Sequence, residues 1–358
     1  MERLTEQIIQ TIRDEALRTE KTKRLQPQVL ELIYEQKWFK LFVPEELGGR
    51  MASLPEAVRI FERTSWIDGS LGWVVTIGSG GGFFVPFLPK EARESLFAAK
   101  EAVVAGSGHP SGTAKSVEGG YIVNGTWKYC SGSSYATVFT ANCMIEADEP
   151  GQEPHIRAVA LRPDQVTIVH DWNALGLKAT ESNTMVVKDA FVPHDRTFTL
   201  VEPLAYTDEP LYRYPFIPFA QSSFAAVGVG ICRRFLGEAI QLVELSSAGW
   251  QATNPQRASF VMDRIREAEG LFEQSTQAFF TQVDHSWDVH VKEGALPEGV
   301  EQEVSRQCKE TARAALTCAN GLLPYLGLQA MLEETLLNQT WRDLNTACQH
   351  SLLLSFED

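Results

Sequence analysis

The residue pattern predicts an α+β fold, mostly α-helical, in the order helices, β-domain, helices. Three textures carry that reading. Apolar residues recur at helical spacing up to about residue 100; short β-rich runs separated by turn residues fill about 101–200; helical spacing returns from about 215 to the end. A doubly wound α/β chain would instead alternate strand and helix along its whole length.

In the first zone the apolar faces are Ile8, Ile9, Ile12 and Ala16, then Val29, Leu30 and Ile33, then Ala57, Ile60 and Phe61. Breaks are expected at Pro44, at Gly48-Gly49 and near residue 80. The uncharged stretch Gly69 to Pro89 is long enough to span a bilayer. Its Gly78, Gly80, Gly81, Gly82 and Pro86 make a poor spanning helix, so a buried helix followed by a glycine-rich break is expected. In the second zone the expected strands are AVVAGS, YIVNGTWKY, TVFTANCMI, IRAVALR, QVTIVH and NTMVVKDAFV, forming a small sandwich or barrel. Glu118-Gly119-Gly120 and Asn124-Gly125 read as turns between them. Four long helices are expected in the third zone: Ala225 to Leu245, Val261 to Trp287, Glu301 to Leu323, and Leu328 to Leu354, the last with no internal Pro or Gly.

Composition excludes several classes. A formal net charge of −14 over 358 residues, with no run of Lys or Arg, argues against a nucleic-acid partner. Six scattered cysteines form no C-x-x-C pair, so neither a zinc site nor a disulfide framework is expected, and a reducing cytoplasm fits. The N-terminus mixes both charge signs and lacks a signal-peptide core, so a soluble chain with no membrane partner is expected. No G-x-G-x-x-G follows a strand and opens a helix; GSGGG at 78–82 follows a helical pattern and is not read as a dinucleotide fingerprint.

Three stretches carry chemistry. In Asn124 to Ala136, an aromatic pair (Trp127, Tyr129) precedes Ser131, Gly132, Ser133 and Ser134. Such a loop brings amides and hydroxyls to the edge of a flat heterocycle while Trp127 or Tyr129 covers its face. The alternative is a hairpin whose Ser-Gly pair turns the chain and whose Trp is core. In Trp172 to Asn183, Thr180 and Ser182 alternate onto one face of an extended segment and can address one ligand, or else solvent. Near the C-terminus, Asp343, Thr346, Ala347 and His350 fall on one helix face. An imidazole there can serve as base or donor, or can be a satisfied helical histidine.

Taken together these stretches resemble the acyl-CoA dehydrogenase superfamily, and within it the two-component (group D) flavin monooxygenases. FVPEELGG at 42–49, ERTSWIDGSLGWVV at 62–75, NGTWKYCSG at 124–132, WNALGLKATESN with FVP at 191–193, and WRDLNTACQH at 341–350 match its elements in order. The resemblance implies an N-terminal helical domain (1–100), a central β-domain (101–200) and a C-terminal four-helix bundle (201–358), assembled as a homotetramer. It places flavin between β-domain and bundle, with Trp127, Tyr129, Ser131, Gly132, Thr180 and Ser182 as neighbours. His350, with Ser131, would do the catalytic work, and His109 in AGSGHPSG is a further pocket candidate. No metal is expected.

Within the superfamily, a dehydrogenase needs a carboxylate base, found either after the Arg-Asp element or early on the first bundle helix. Thr346 to Phe356 and Phe216 to Val229 contain no Asp or Glu. SAGWQATNPQRASF lacks the family's Arg-x-x-Phe-Gly segment, and LPYLGLQA is a thin match to its glycine-rich turn; weak adenine-side contacts suit FMN, or a reduced flavin that arrives and leaves. The resemblance therefore implies a monooxygenase. It would take reduced FMN or FAD from a separate reductase, form a C4a-hydroperoxide with O2, and hydroxylate a small aromatic substrate in a dry pocket. Two other readings stay open: an FAD-dependent acyl-CoA dehydrogenase or oxidase with an atypical base, and a non-catalytic binding protein of the same fold.

Overall fold

The computed structural model describes residues 5–145, 155–201 and 203–355. Five helices open the chain: α1 (Glu6–Thr22), α2 (Pro27–Glu35), α3 (Leu54–Ile67), α4 (Gly69–Gly80) and α5 (Lys90–Phe97). Ser53 and Glu56 form a reciprocal capping box at the start of α3, and the Asp68 carboxylate accepts the Leu71 N–H at the start of α4. The glycine-rich stretch after α4 winds on as a 3-10 turn, Gly81–Phe87. Its glycines are required by packing: a Cβ on Gly81 would enter Val104, and one on Gly82 would press on the Phe42 backbone.

Among the described residues seven strands follow: β1 (Val104–Val117), β2 (Gly120–Cys130), β3 (Val138–Ile145), β4 (Ile156–Leu161), β5 (Thr167–Val169), β6 (Asn183–Pro193) and β7 (Thr197–Phe198). They form one sheet in the order β5-β6-β2-β1-β3-β4-β7, with only β1 and β3 parallel. The sheet encloses a core of its own, including Val123, Trp127, Phe139, Cys143, Leu161 and Met185. Gly119, at φ +80°, turns β1 into β2 as expected. Asn124-Gly125 is a correction: it lies inside β2, not in a turn. Gly125 is small because the Trp127 indole lies across it and across Gly112, and Asn124 ties β2 to Asp189 by hydrogen bonds in both directions.

After α6 (Pro210–Arg213) come α7 (Phe216–Thr253), α8 (Arg257–Glu293), α9 (Glu298–Leu326) and α10 (Leu336–Ala347). The first three are longer than the periodicity suggests. The fourth is shorter: Leu328–Met331 is a separate 3-10 turn, Thr335 caps α10, and the helix stops at Ala347. His350 therefore lies beyond the helix, at the start of a second 3-10 turn, and does not share a face with Asp343 and Thr346. Two segments, Gly69–Phe87 and Phe216–Thr253, are apolar and long enough to cross a membrane, but 83 % and 78 % of their apolar windows are buried in the fold, as in core helices. All six cysteines are free and buried.

Helix α7 is the packing axis, and two of its glycines show opposite constraints. A Cβ on Gly230 would overlap the Glu62 carbonyl of α3, whereas one on exposed Gly237 meets nothing within 4 Å. Gly230→Ala is expected to cost roughly 1–3 kcal/mol by overpacking. Gly237→Ala is expected to stabilise by about 0.5–1 kcal/mol through helix propensity. Urea unfolding of both variants checks the pair, and equal effects would contradict the α3–α7 contact.

Candidate active site

A cavity of about 330 Å³ lies between α4 with its 3-10 extension, strands β1, β3 and β4, and the first turns of α7. Phe84, Phe198, Phe216, Phe219 and Phe224 form its apolar wall, and Ser107, Thr140 and Asn142 its polar side. No Asp, Glu, Lys, Arg or His is among the described residues that line it. The β1–β3 ladder breaks between Ser107 and Gly112, so the intervening residues are free of that pairing where β1 meets the cavity. Gly80 and Gly108 line the same space, and a Cβ on either would meet nothing within 4 Å, so glycine keeps the volume open.

Behind the wall runs a chain of buried hydroxyls. Trp73 Nε1–H donates to Ser131 Oγ at 3.0 Å; Ser131 and Ser182 are 2.7 Å apart, as are Ser182 and Thr180; Thr180 donates to the Leu177 carbonyl at 2.9 Å. The two ends fix the direction. Thr180 has spent its proton on Leu177, so Ser182 donates to Thr180 and Ser131 donates to Ser182. Every proton of the relay is committed, and its hydroxyls have only lone pairs left for a ligand. The backbone supports this knot: Gly132, at φ +76°, donates its N–H to the Thr180 carbonyl at 2.8 Å, and Ser133 donates to the Glu181 carbonyl.

Trp73 also stacks on Phe224 (5.5 Å, 19°), and Phe224 lies 4.0 Å from the His350 ring, centroid to centroid. Burial pushes the His350 pKa down to about 4, so the ring is neutral near pH 7. Its Nδ1 accepts the Leu352 N–H at 3.3 Å, which puts the remaining proton on Nε2. Leu352 is itself held by Gln221 of α7, whose Nε2 donates to the Leu352 carbonyl at 2.9 Å.

Helix α10 grips the segment that carries the relay. The Leu177 N–H donates to Asp343 Oδ1 at 2.5 Å, the Gly176 N–H to Thr346 Oγ1 at 2.9 Å, and Arg342 to the Leu175 carbonyl at 3.0 Å. Gly176 is required here, because a Cβ would enter the Arg342 carbonyl. Arg342 and Lys178 both meet Glu20 of α1, at 2.5 and 3.0 Å. Asp343 and Asp68 are buried nearby. Burial, then Asp68 and Glu20, holds the Asp343 pKa well above the carboxylate range; burial chiefly, with Glu20 adding, raises Asp68 to about 6.

The structure thus brings together Ser131, Gly132, Thr180 and Ser182, and sets His350 one aromatic ring away from the cavity. It corrects three expectations. Trp127 is fully buried in the sheet core with Nε1–H on the Asn142 carbonyl, so no face is left to cover a heterocycle. Thr180 lies on a 3-10 turn between two left-handed residues, Leu177 and Glu181, and not on an extended strand. His109 is exposed on the irregular stretch of β1 and outside the lining. Tyr129 is 71 % exposed, its ring edge-on to Trp172 at 6.3 Å, so one aromatic face is open. Trp73, Phe224 and Gln221 were missed. Trp73 stands inside ERTSWIDGSLGWVV with nothing to mark its indole as a donor, and Phe224 and Gln221 stand in no motif.

Two predictions follow the electrostatics. A carboxyl whose pKa is raised on folding favours the native state fully below its unfolded value and loses that contribution as pH rises to the folded value. For Asp68 the window runs from about 4 to about 6. Asp68→Asn keeps the oxygen that caps Leu71, and Gln339 can turn its unpartnered Oε1 toward the new amide. The variant should match the parent near pH 4 and exceed its stability at pH 7 by on the order of 2–3 kcal/mol; a parallel offset at both pH values would refute the assignment. For His350, ¹⁵N NMR should show a neutral ring protonated on Nε2 at pH 6, titrating near 4. A midpoint near 6.5 or a proton on Nδ1 contradicts the geometry.

Comparison with known proteins places this arrangement. Residues 222–354 match the model of the acyl-CoA dehydrogenase C-terminal domain. The chain is 27 % identical to an indole-3-acetate monooxygenase of Pseudomonas putida over 97 % of its own length and 89 % of that protein. It is 26 % identical to the oxygenase component of an FADH2-dependent resorcinol hydroxylase from a Rhizobium species, over 72 % of this chain and 65 % of that one. It shares its fold with the 3-HSA hydroxylase of a Rhodococcus species, at a TM-score of 0.88 and 23 % identity, covering 97 % of this chain and 91 % of that one. The helical bundle carries the match to the acyl-CoA dehydrogenase C-terminal domain, and over nearly its whole length the chain is similar to flavin-dependent monooxygenases.

Proposed function

We propose that this chain is the oxygenase component of a two-component flavin-dependent monooxygenase. It takes reduced FMN or FAD from a separate reductase and hydroxylates a small aromatic substrate with O2. One observation carries the choice over dehydrogenation: no carboxylate is among the described residues lining the cavity, so nothing there can remove the proton that thioester oxidation requires. Gln221 occupies the early turns of α7, where an acidic residue was sought.

The hydroxyl relay fits a reduced flavin. Its committed protons leave acceptors only, which suit a ring edge bearing N–H and not one presenting a bare nitrogen. The open face of Tyr129 offers an aromatic platform two residues from Ser131. When bound, reduced flavin supplies the electrons with which O2 is activated. The chain's own residues do the rest. Phe84, Phe216, Phe219 and Phe224 exclude water and take a flat ring. His350, neutral and protonated on Nε2, is set to donate a hydrogen bond; in this tautomer it is a donor and not a base. Ser131 accepts, and Trp73 holds it in place. The relatives' names cover both a carboxylate (indole-3-acetate) and a neutral diphenol (resorcinol). Assembly as a homotetramer and a cytoplasmic location complete the proposal, supported by the family pattern and by the six reduced, buried cysteines.

Anaerobic titration tests the core of this reading. Reduced FMN or FAD should bind more tightly than the same flavin oxidised, and Ser131→Ala should narrow that difference by about tenfold, the scale of one lost charge-free hydrogen bond in a buried site. With reductase and substrate, His350→Ala should keep reduced-flavin affinity but release hydrogen peroxide in place of hydroxylated product. Stable binding of oxidised FAD that is bleached by an acyl-CoA would instead establish a dehydrogenase. Failure to bind either redox state would leave a non-catalytic member of the fold.

A further inference from the structure

The cavity also constrains the charge of the substrate, an inference that rests on the monooxygenase reading for its reaction but not for its binding. We infer that the site takes an uncharged ring compound and rejects its carboxylate-bearing analogue. The lining supplies an apolar wall and neutral polar side chains, Thr76, Ser107, Thr140, Asn142, Thr199 and Ser223, with no cationic group among the described residues. Three of these already donate to backbone carbonyls: Asn142 Nδ2 to Gly108, Ser223 Oγ to Phe219 and Thr76 Oγ1 to Gly72.

Three basic groups next to lining residues do not repair this. His350 sits behind Phe224 and is neutral. Arg157 lies between the lining residues Ile156 and Ala158 on β4, so strand alternation turns it to the opposite face, where it donates to Thr197 Oγ1. His109 is exposed on the irregular stretch of β1. A carboxylate entering this space would lose its hydration and gain no counter-ion, which disfavours the ionised form strongly. A volume of about 330 Å³, at the low end of ligand pockets of roughly 300–1,000 Å³, limits the guest to one or two fused rings.

Indole and indole-3-acetate form a matched pair that differs only in the carboxymethyl group. Equilibrium dialysis of the full chain under argon, with and without reduced FMN, measures both without any turnover. Indole is expected to bind at least about tenfold more tightly at pH 7.5, because the acetate is fully ionised there. Ile156→Lys, at a half-exposed lining position, is expected to close or reverse that gap by supplying the missing counter-ion. Equal or tighter binding of indole-3-acetate by the parent chain overturns the inference, and so does failure of both compounds to bind at millimolar concentration. Reduced-flavin binding in the same samples reports separately on the monooxygenase reading, so the two can fail independently.

Discussion

The grip of α10 on residues 175–177 is the constraint on which the site depends. Three consecutive anchors, Arg342 to the Leu175 carbonyl, Asp343 to the Leu177 N–H and Thr346 to the Gly176 N–H, join the helical bundle to the β-domain. The Leu177 carbonyl then terminates the hydroxyl relay through Thr180, Ser182 and Ser131 to Trp73. A backbone held at both N–H and C=O has little freedom, so the relay's direction follows from a contact well away from the cavity. Helix α1 is drawn into the same knot, because Glu20 pairs with both Arg342 and Lys178. All three layers of the fold therefore meet at this point.

Burial shapes the chemistry around that knot. Burial pushes the Asp68 and Asp343 carboxyls up, while Glu20 pairs with Arg342 and Lys178, so hydrogen bonds and ion pairs act together in the clamp. His350 follows the same logic with opposite sign: burial removes its charge, and the Leu352 N–H selects the tautomer. The cavity ends up with neutral donors, neutral acceptors and aromatic rings. Such a lining suits chemistry in which electrons arrive on a bound cofactor and water must be kept away.

Much of this was legible in the sequence because it depends on periodicity and local composition. The α–β–α order and the β1–β2 turn at Gly119 leave local marks, whereas the meeting of Ser131 with the Thr180-Ser182 segment was implied only by the family resemblance. What was not legible depends on packing between distant segments. Trp127 sits in a strand that alternates like its neighbours, and only the sheet's closure on Gly112 and Gly125 shows that it faces inward. Asn124-Gly125 has the composition of a turn, yet its glycine exists to admit an indole. The stretch from Leu328 to Leu354 keeps helical spacing, and the backbone leaves the helix where the His350 side chain accepts the Leu352 N–H. Gln221, 131 residues from Leu352, could be connected to His350 only in three dimensions.

The central claim is that this site directs the reaction of reduced flavin with oxygen. Rapid mixing of the anaerobic complex with reduced FMN against oxygenated buffer, followed in the near ultraviolet, tests it most directly. The account predicts a transient band, distinct from both reduced and oxidised flavin, that persists longer than in protein-free solution. Direct appearance of oxidised flavin at the rate seen without protein would contradict it.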